Sequence, residues 1–382
     1  MGAAHFTRMG IYLWLTLVPL TAASLCAQDT TATGVGDAGY TAYQSGRYAE
    51  AETLWRAALQ TAEANADDMH MALALSNLGM LYNAQAKYDQ AEAWLKKSLG
   101  IYEKALAADD PRIAPVLYNL AETCHGRERD DLAVPLLKRS LAIDEKALGP
   151  DHPNVALDLN NLAEAYFAQR LYDQAEPLYQ RSRKIWEQAY GADHPEVGTS
   201  WNNLAGLARA RGKFAEAERD YGRALVTWEN ALGKAHPRVA TCLNNIAELY
   251  REEKKDEQAE NLFSRSLAIR EKALGPEHPD VAISLHNLAC LYRDHQRFDQ
   301  AEPLFKRSLA IWEKALGADH PIVATALEAY AEMLGAEKRD AEAAPLLQRA
   351  GAIRVKAKGA RPATTRAVIL GPDQDRRRLC RG

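Results

Sequence analysis

The chain has 382 residues, 47% of them apolar and 26% charged, with a formal net charge of −4. That balance excludes a collagen-like, largely disordered or polytopic membrane protein, and five cysteines exclude a disulfide-dense scaffold. The charge is unevenly spread, with +1 on residues 1–27, −12 on 28–353 and +7 on 354–382. The N-terminus has one basic residue, Arg8, then an apolar run broken by Pro19, then Ala22, Ala23 and Ser24. The run is short for a membrane span, and small residues followed by a polar stretch after Ala27 form the pattern of a cleaved secretory signal. Residues 1–27 are therefore expected to be a signal peptide, with the mature chain exported to a periplasm or secreted. A retained anchor and a lipid on Cys26 are the alternatives, although Leu25 stands before Cys26 where a small residue would be expected. Residues 28–37 are expected to be a flexible lead-in.

From there the sequence repeats. Prolines 111, 153, 195, 237, 279 and 321 are spaced by 42 residues, and Met69 stands one period earlier. With each of these residues as position 0, position +8 is Asn77, Asn119, Asn161, Asn203, Asn245 and Asn287 in the first six units and Ala329 in the last. A divergent unit comes before them, so residues 38–354 are read as one array of eight units. Each unit is written as two helices. In the unit from Pro153, Leu159, Leu162, Ala163 and Tyr166 make the first apolar stripe. Ala175, Leu178, Tyr179, Ser182 and Ile185 make the second. Asp173 with Glu176 has the spacing of a capping box, as do Asp89 with Glu92 and Asp299 with Glu302. Gly191 suits a helix C-cap, and a proline suits the first turn of the helix that follows. One pair cannot bury both faces, so neighbouring pairs are expected to stack into an all-α solenoid. Helical periodicity ends near Arg354, and the basic residues 355–382, with Gly359, Pro362, Gly371 and Pro372, are expected to be a disordered tail.

Leu-x-x-Leu-Ala-x-x-Tyr followed by Ala-x-x-x-Tyr resembles the tetratricopeptide repeat. The 42-residue period, the string Leu159-Asn160-Asn161-Leu162-Ala163 and the segment from Glu145 to Pro153 are similar to the kinesin light chain type of that repeat. The resemblance implies a right-handed superhelix of helix pairs whose first helices line a concave groove that holds a peptide or protein. No heptad coiled coil precedes the repeats, and the N-terminus is signal-like, so a motor subunit is not expected.

The resemblance makes the six asparagines at +8 candidates for holding a ligand backbone, since a carboxamide both donates and accepts. Asn160, Asn202 and Asn244 at +7 join them. The other reading, that these amides tie neighbouring helices together, stays open. At +14, Arg209, Arg251 and Arg293 form a basic strip suited to carboxylates. Glutamates at +11, such as Glu164 and Glu248, could neutralise it. A second ladder of Arg139, Arg181, Arg223, Arg265 and Arg307 at +28 reads as a solvated outer face with ion pairs.

Other chemistry is sparse. His152, His194, His236, His278 and His320 precede the repeat prolines. Packed helices lie roughly 8–10 Å apart, too far for successive histidines to share an ion, so each is expected to start a helix. His286 and Cys290 are four apart, two ligands where zinc needs more. No nucleophile elbow, phosphate loop or HExxH motif is present. The expectation is a non-catalytic scaffold without metal or cofactor, binding a protein or peptide rather than nucleic acid, with no stable membrane span once the signal is cleaved. A groove site at His286 and Cys290, or nucleic-acid binding by the tail, is the alternative.

Overall fold

The computed structural model describes residues 32–359, apart from positions 46, 86 and 128. The signal-like segment and most of the basic tail lie outside the described residues. Within them the chain is all-α and solenoid in class, with sixteen α-helices in consecutive pairs. The residues fall into two compact units that divide after Ala318. The first unit holds seven pairs. These are α1 (Ala32–Gln44) with α2 (Tyr48–Ala64), α3 (Asp68–Ala84) with α4 (Tyr88–Ala105), and α5 (Ala114–Gly126) with α6 (Asp130–Leu148). Next come α7 (Pro153–Ala168) with α8 (Tyr172–Tyr190) and α9 (Pro195–Ala210) with α10 (Phe214–Leu232). The last two are α11 (Pro237–Glu252) with α12 (Asp256–Leu274) and α13 (Pro279–Asp294) with α14 (Phe298–Leu316). The second unit holds α15 (Pro321–Ala336) and α16 (Asp340–Gly359).

The repeat prolines open their helices as the sequence predicts. In α7, α9, α11, α13 and α15 the proline is the first helical residue and the preceding histidine is the N-cap. Each histidine Nδ1 accepts a hydrogen bond from the backbone N–H two residues on, at 3.1–3.3 Å. The regular histidines thus satisfy amides that a helix start leaves without partners. Pro111 differs and opens a short 3-10 turn capped by Asp110.

Two backbone switches set the repeat. Between the two helices of each pair from α7 onward, position +17 takes a positive φ, 61° at Arg170 and 73° at Gly212. Between pairs, a glycine such as Gly191 (φ 88°, ψ 162°) closes the second helix in a region only glycine enters easily. The predicted capping boxes do not form. The second helices begin one residue before Asp89, Asp173 and Asp299, after Lys87, Leu171 and Arg297, which give no side-chain cap. The aspartates lie within the first turn, where the positive helix end favours them. Asp89 and Asp173 instead meet Arg127 (3.0 Å) and Arg211 (2.5 Å) of the following repeat.

The ends also differ from expectation. α1 begins at Ala32, inside the expected lead-in, and the Trp55 indole N–H donates to the Gly36 carbonyl (3.4 Å). Helix α16 continues to Gly359, past Arg354.

Helices within a pair approach closely because small residues meet there. Ala163 and Ala175 are fully buried, with Tyr166 and Tyr179 filling the space beside them. The fully buried Ser182 Oγ donates to the Ala156 carbonyl (2.7 Å), and Ser98 and Ser266 repeat the contact. In the α9/α10 pair the indole N–H of fully buried Trp228 donates to the Pro195 carbonyl (2.8 Å). Gly198 lets this ring sit closer than in the α7/α8 pair, where Ala156 holds the same position and Trp186 donates to Pro153 at 3.2 Å; a Cβ at Gly198 would lie 2.8 Å from Trp228 Nε1. Gly198→Ala is expected to destabilise the fold by about 1–2 kcal/mol, since overpacking against a pinned ring outweighs the helix-propensity gain. Gly100→Ala, where a Cβ meets nothing within 4 Å, is expected to raise stability by up to about 1 kcal/mol. Urea melts of the two variants check both signs.

Candidate ligand face on the first helices

Successive first helices of the first unit, α3 to α13, carry the asparagine ladder. The structure engages its C-terminal half between repeats. Asn203 Nδ2 donates to Asn160 Oδ1 (3.0 Å) and Glu164 Oε1 (3.1 Å). Asn245 Nδ2 donates to Asn202 Oδ1 (2.9 Å), and Asn287 Nδ2 to Asn244 Oδ1 (3.2 Å). Position +8 of one repeat therefore bonds to +7 of the repeat before it, at three consecutive junctions. The acceptors Asn160, Asn202 and Asn244 are all buried.

The N-terminal half is different. Position +7 is Tyr118 rather than asparagine, and buried Asn161 Nδ2, one repeat on, has no hydrogen-bond partner among the described residues. Asn119 is buried and offers its backbone carbonyl to Asn83 Nδ2 (2.8 Å), while Asn77 is half-buried. Glu122 accepts from the same Asn83 Nδ2 (3.3 Å). Burial pushes the Glu122 carboxyl up to about 7 against the pull of Asn83 and His125.

The arginine strip divides in the same way. Arg251 pairs with Glu248 and Asp294, each at 3.0 Å, and Arg293 pairs with the same Asp294 at 2.9 Å. Burial opposes the Arg251 charge, but Glu248 and Asp294 more than offset it and hold the guanidinium charged. Arg209 stands apart. Its repeat has Gly206 at +11, where Arg251 finds Glu248, and its buried Nη1 has no hydrogen-bond partner. Burial works against its charge too, and the surrounding Tyr221, Glu248 and Glu252 still hold it in the charged form. The glycine at +11 was visible in the sequence, but its consequence for Arg209 needed the neighbouring side chains in place.

His286 and Cys290 do not open onto this face. Both are fully buried, with Cys290 Sγ 3.5 Å from His286 Nε2. The imidazole packs edge-on to Phe305 and tilted against Trp312, each 5.5 Å between centroids. Burial, with Arg293 and Arg251 adding to it, lowers the His286 pKa to about 3, and burial pushes the Cys290 thiol up to about 12. Cys124 is a core residue as expected, with burial pushing it up to about 11. Among the described residues no group of three His, Cys, Asp or Glu side chains is placed to hold a metal. None of the helices described is long and apolar enough to cross a membrane.

The tetratricopeptide repeat model matches residues 31–104, 112–170, 158–225, 196–272, 253–313 and 294–354. The chain belongs to the tetratricopeptide repeat family. No curated protein matches it. Among solved structures it is similar to a Rap protein complexed with Competence and Sporulation Factor, at 16% identity and a TM-score of 0.54. That match covers 86% of this chain and 99% of the other. A second is the Rap conjugation gene regulator of plasmid pLS20 in complex with the Phr peptide. It has 13% identity and a TM-score of 0.58, covering 78% of this chain and 77% of that one. A third is a Podospora anserina putative kinesin light chain with nearly identical repeats, at 26% identity and a TM-score of 0.42, over 53% of this chain and 97% of that one. The Rap likenesses share the tetratricopeptide fold.

Two outcomes follow from the geometry of this face. Asn245→Ala strands the buried Asn202 oxygen and is expected to cost about 1–3 kcal/mol in a urea melt. His286 titrates near 6.5 in an unfolded chain but resists protonation when folded. Its contribution to stability is therefore complete above about pH 6.5 and lost as pH falls towards 3, by at most about 1.4 kcal/mol per pH unit. His286→Asn, which installs the residue of the three preceding repeats, is expected to flatten that acid slope in urea midpoints measured against pH.

Proposed function

We propose that this tetratricopeptide protein is an exported, non-catalytic interaction scaffold that binds an extended peptide segment of a partner across the first-helix face. Arg209 anchors an acidic group of that segment, and Asn161 contacts its backbone. The observation that carries this reading is the pair of buried donors, Arg209 Nη1 and Asn161 Nδ2, that lack protein partners while their counterparts in later repeats are engaged. A buried donor without an acceptor is costly, and a peptide carboxylate or carbonyl would relieve it. Two Rap proteins of similar fold are complexed with Competence and Sporulation Factor and with the Phr peptide, which supports the mode of binding. The sequence of residues 1–27 supports export.

The test is a crosslinking pull-down from the envelope fraction with wild type, Asn161→Ala, Arg209→Gln and Asn245→Ala. Loss of a charge-assisted hydrogen bond is expected to weaken capture by Arg209→Gln roughly 10–100-fold, with its melting unchanged. Asn245→Ala is expected to melt earlier yet hold its partner under folding conditions. Equal capture by wild type and Arg209→Gln would sink the proposal.

A further inference from the structure

The repeat departs from its own pattern at one place on the opposite face of α9. Position +6 is leucine in the other six units and +25 is mostly leucine, yet in the unit from Pro195 they are Trp201 and Asp220. At 100° per residue, Trp201, Leu204 and Ala208 lie on the side of α9 away from Asn203 and Arg209. They floor a cavity of about 250 Å³ between the second helices α8 and α10.

The outer arginine ladder shows what the change does. Elsewhere the +28 arginine pairs with the +34 acid of the preceding repeat, as in Arg181–Glu145 (2.6 Å), Arg265–Glu229 (2.8 Å) and Arg307–Glu271 (2.7 Å). Here the tie is undone. Glu187, the expected acid, is taken by Arg183 (2.5 Å). Arg223 turns inward to Asp220 (3.3 Å), which also meets Arg219 (3.0 Å). The guanidinium carbons of Arg183 and Arg223 each lie 4.5 Å from the centroid of the Trp201 ring. An exchange of ion pairs that repeats elsewhere has been given up for two arginines held on one indole.

The lining chooses the ligand. Arg183, Lys184, Lys213, Arg219 and Arg223 outnumber the carboxylates five to three. Of those three, Asp220 is matched by Arg219 and Arg223, Glu216 by Lys213 (3.3 Å) and Glu176 by Arg211. Among the described residues Lys184 makes no ion pair. The excess of positive charge favours an anion over its neutral isostere, and the apolar wall favours an anion carried on methylenes over a bare, strongly hydrated dianion. A water takes about 30 Å³ in the liquid, so the cavity holds a group the size of one side chain. It is smaller than the ~300–1,000 Å³ of pockets for larger ligands. The indole and the leucines Leu204 and Leu207 suit methylenes. We infer that this cavity binds a carboxylate on a short apolar stem, either the glutamate side chain of a partner or a free small acid.

The experiment follows the Trp201 indole N–H by NMR in the whole chain during titration with N-acetyl-glutamate amide, its glutamine isostere, butyrate and inorganic phosphate. Saturable shifts with the glutamate probe, at least about tenfold weaker with the glutamine probe, are expected. Tighter binding by butyrate than by the glutamate probe assigns the site to free acids, and the reverse assigns it to partner side chains. Arg183→Gln with Lys184→Gln is expected to lose the response while keeping the fold. Trp201→Leu with Asp220→Leu, which restores the residues of neighbouring repeats, is expected to abolish binding measured calorimetrically. Equal binding of the glutamine probe, tighter binding of phosphate, or unchanged affinity in either double variant overturns the inference.

Discussion

A helix pair of this kind leaves one apolar face uncovered, and only the next pair can cover it. That constraint governs the first unit. Each second helix packs on the following first helix, and from α7 onward two backbone switches per repeat accompany the step. One is the positive-φ residue at +17, met by Arg170 or Gly212; the other is the glycine between pairs. The first tolerates several residue types because left-handed helical geometry costs a non-glycine residue only roughly 1–2 kcal/mol. The second adopts φ and ψ values that a Cβ makes far less accessible, and five successive junctions use glycine there.

Once the step is fixed, polar side chains at one repeat position meet those at another in the neighbouring repeat every time. The +8 and +7 asparagines bond across junctions, +28 arginines reach +34 acids, and first-turn aspartates meet arginines of the next repeat. Regularity therefore spends polar groups on stacking. Groups that remain available lie where the pattern fails. Gly206 removes the glutamate that would pair with Arg209, Tyr118 replaces the acceptor for Asn161, and Trp201 with Asp220 opens a cavity in place of a leucine contact. The groups proposed for binding are concentrated in the irregularities of the repeat.

Much of this was legible in the residues. The helix pairs, the proline starts, the histidine caps, the glycine stops and the close approach of Ala163 and Ala175 follow from period and residue type. The capping boxes were misjudged because Asp173 and Glu176 have the right spacing, yet the +17 turn starts the helix one residue before the aspartate. Spacing alone cannot reveal that offset. The lead-in was misjudged because its composition, rich in glycine and threonine, conceals the tertiary contact between Gly36 and Trp55 that organises α1.

The sequence by itself determined a repeating all-α chain and the positions that could carry recognition, because periodicity depends only on local geometry and burial pattern. Tertiary structure decided which of those positions are occupied. Asn203, Asn245 and Asn287 look the same as Asn161 in sequence, and His286 occupies the same repeat position as Asn244. Whether an amide bonds to a neighbour, or an imidazole sinks between Phe305 and Trp312, depends on side chains in the preceding repeat or on the paired helix. Those distances close only when the pairs stack.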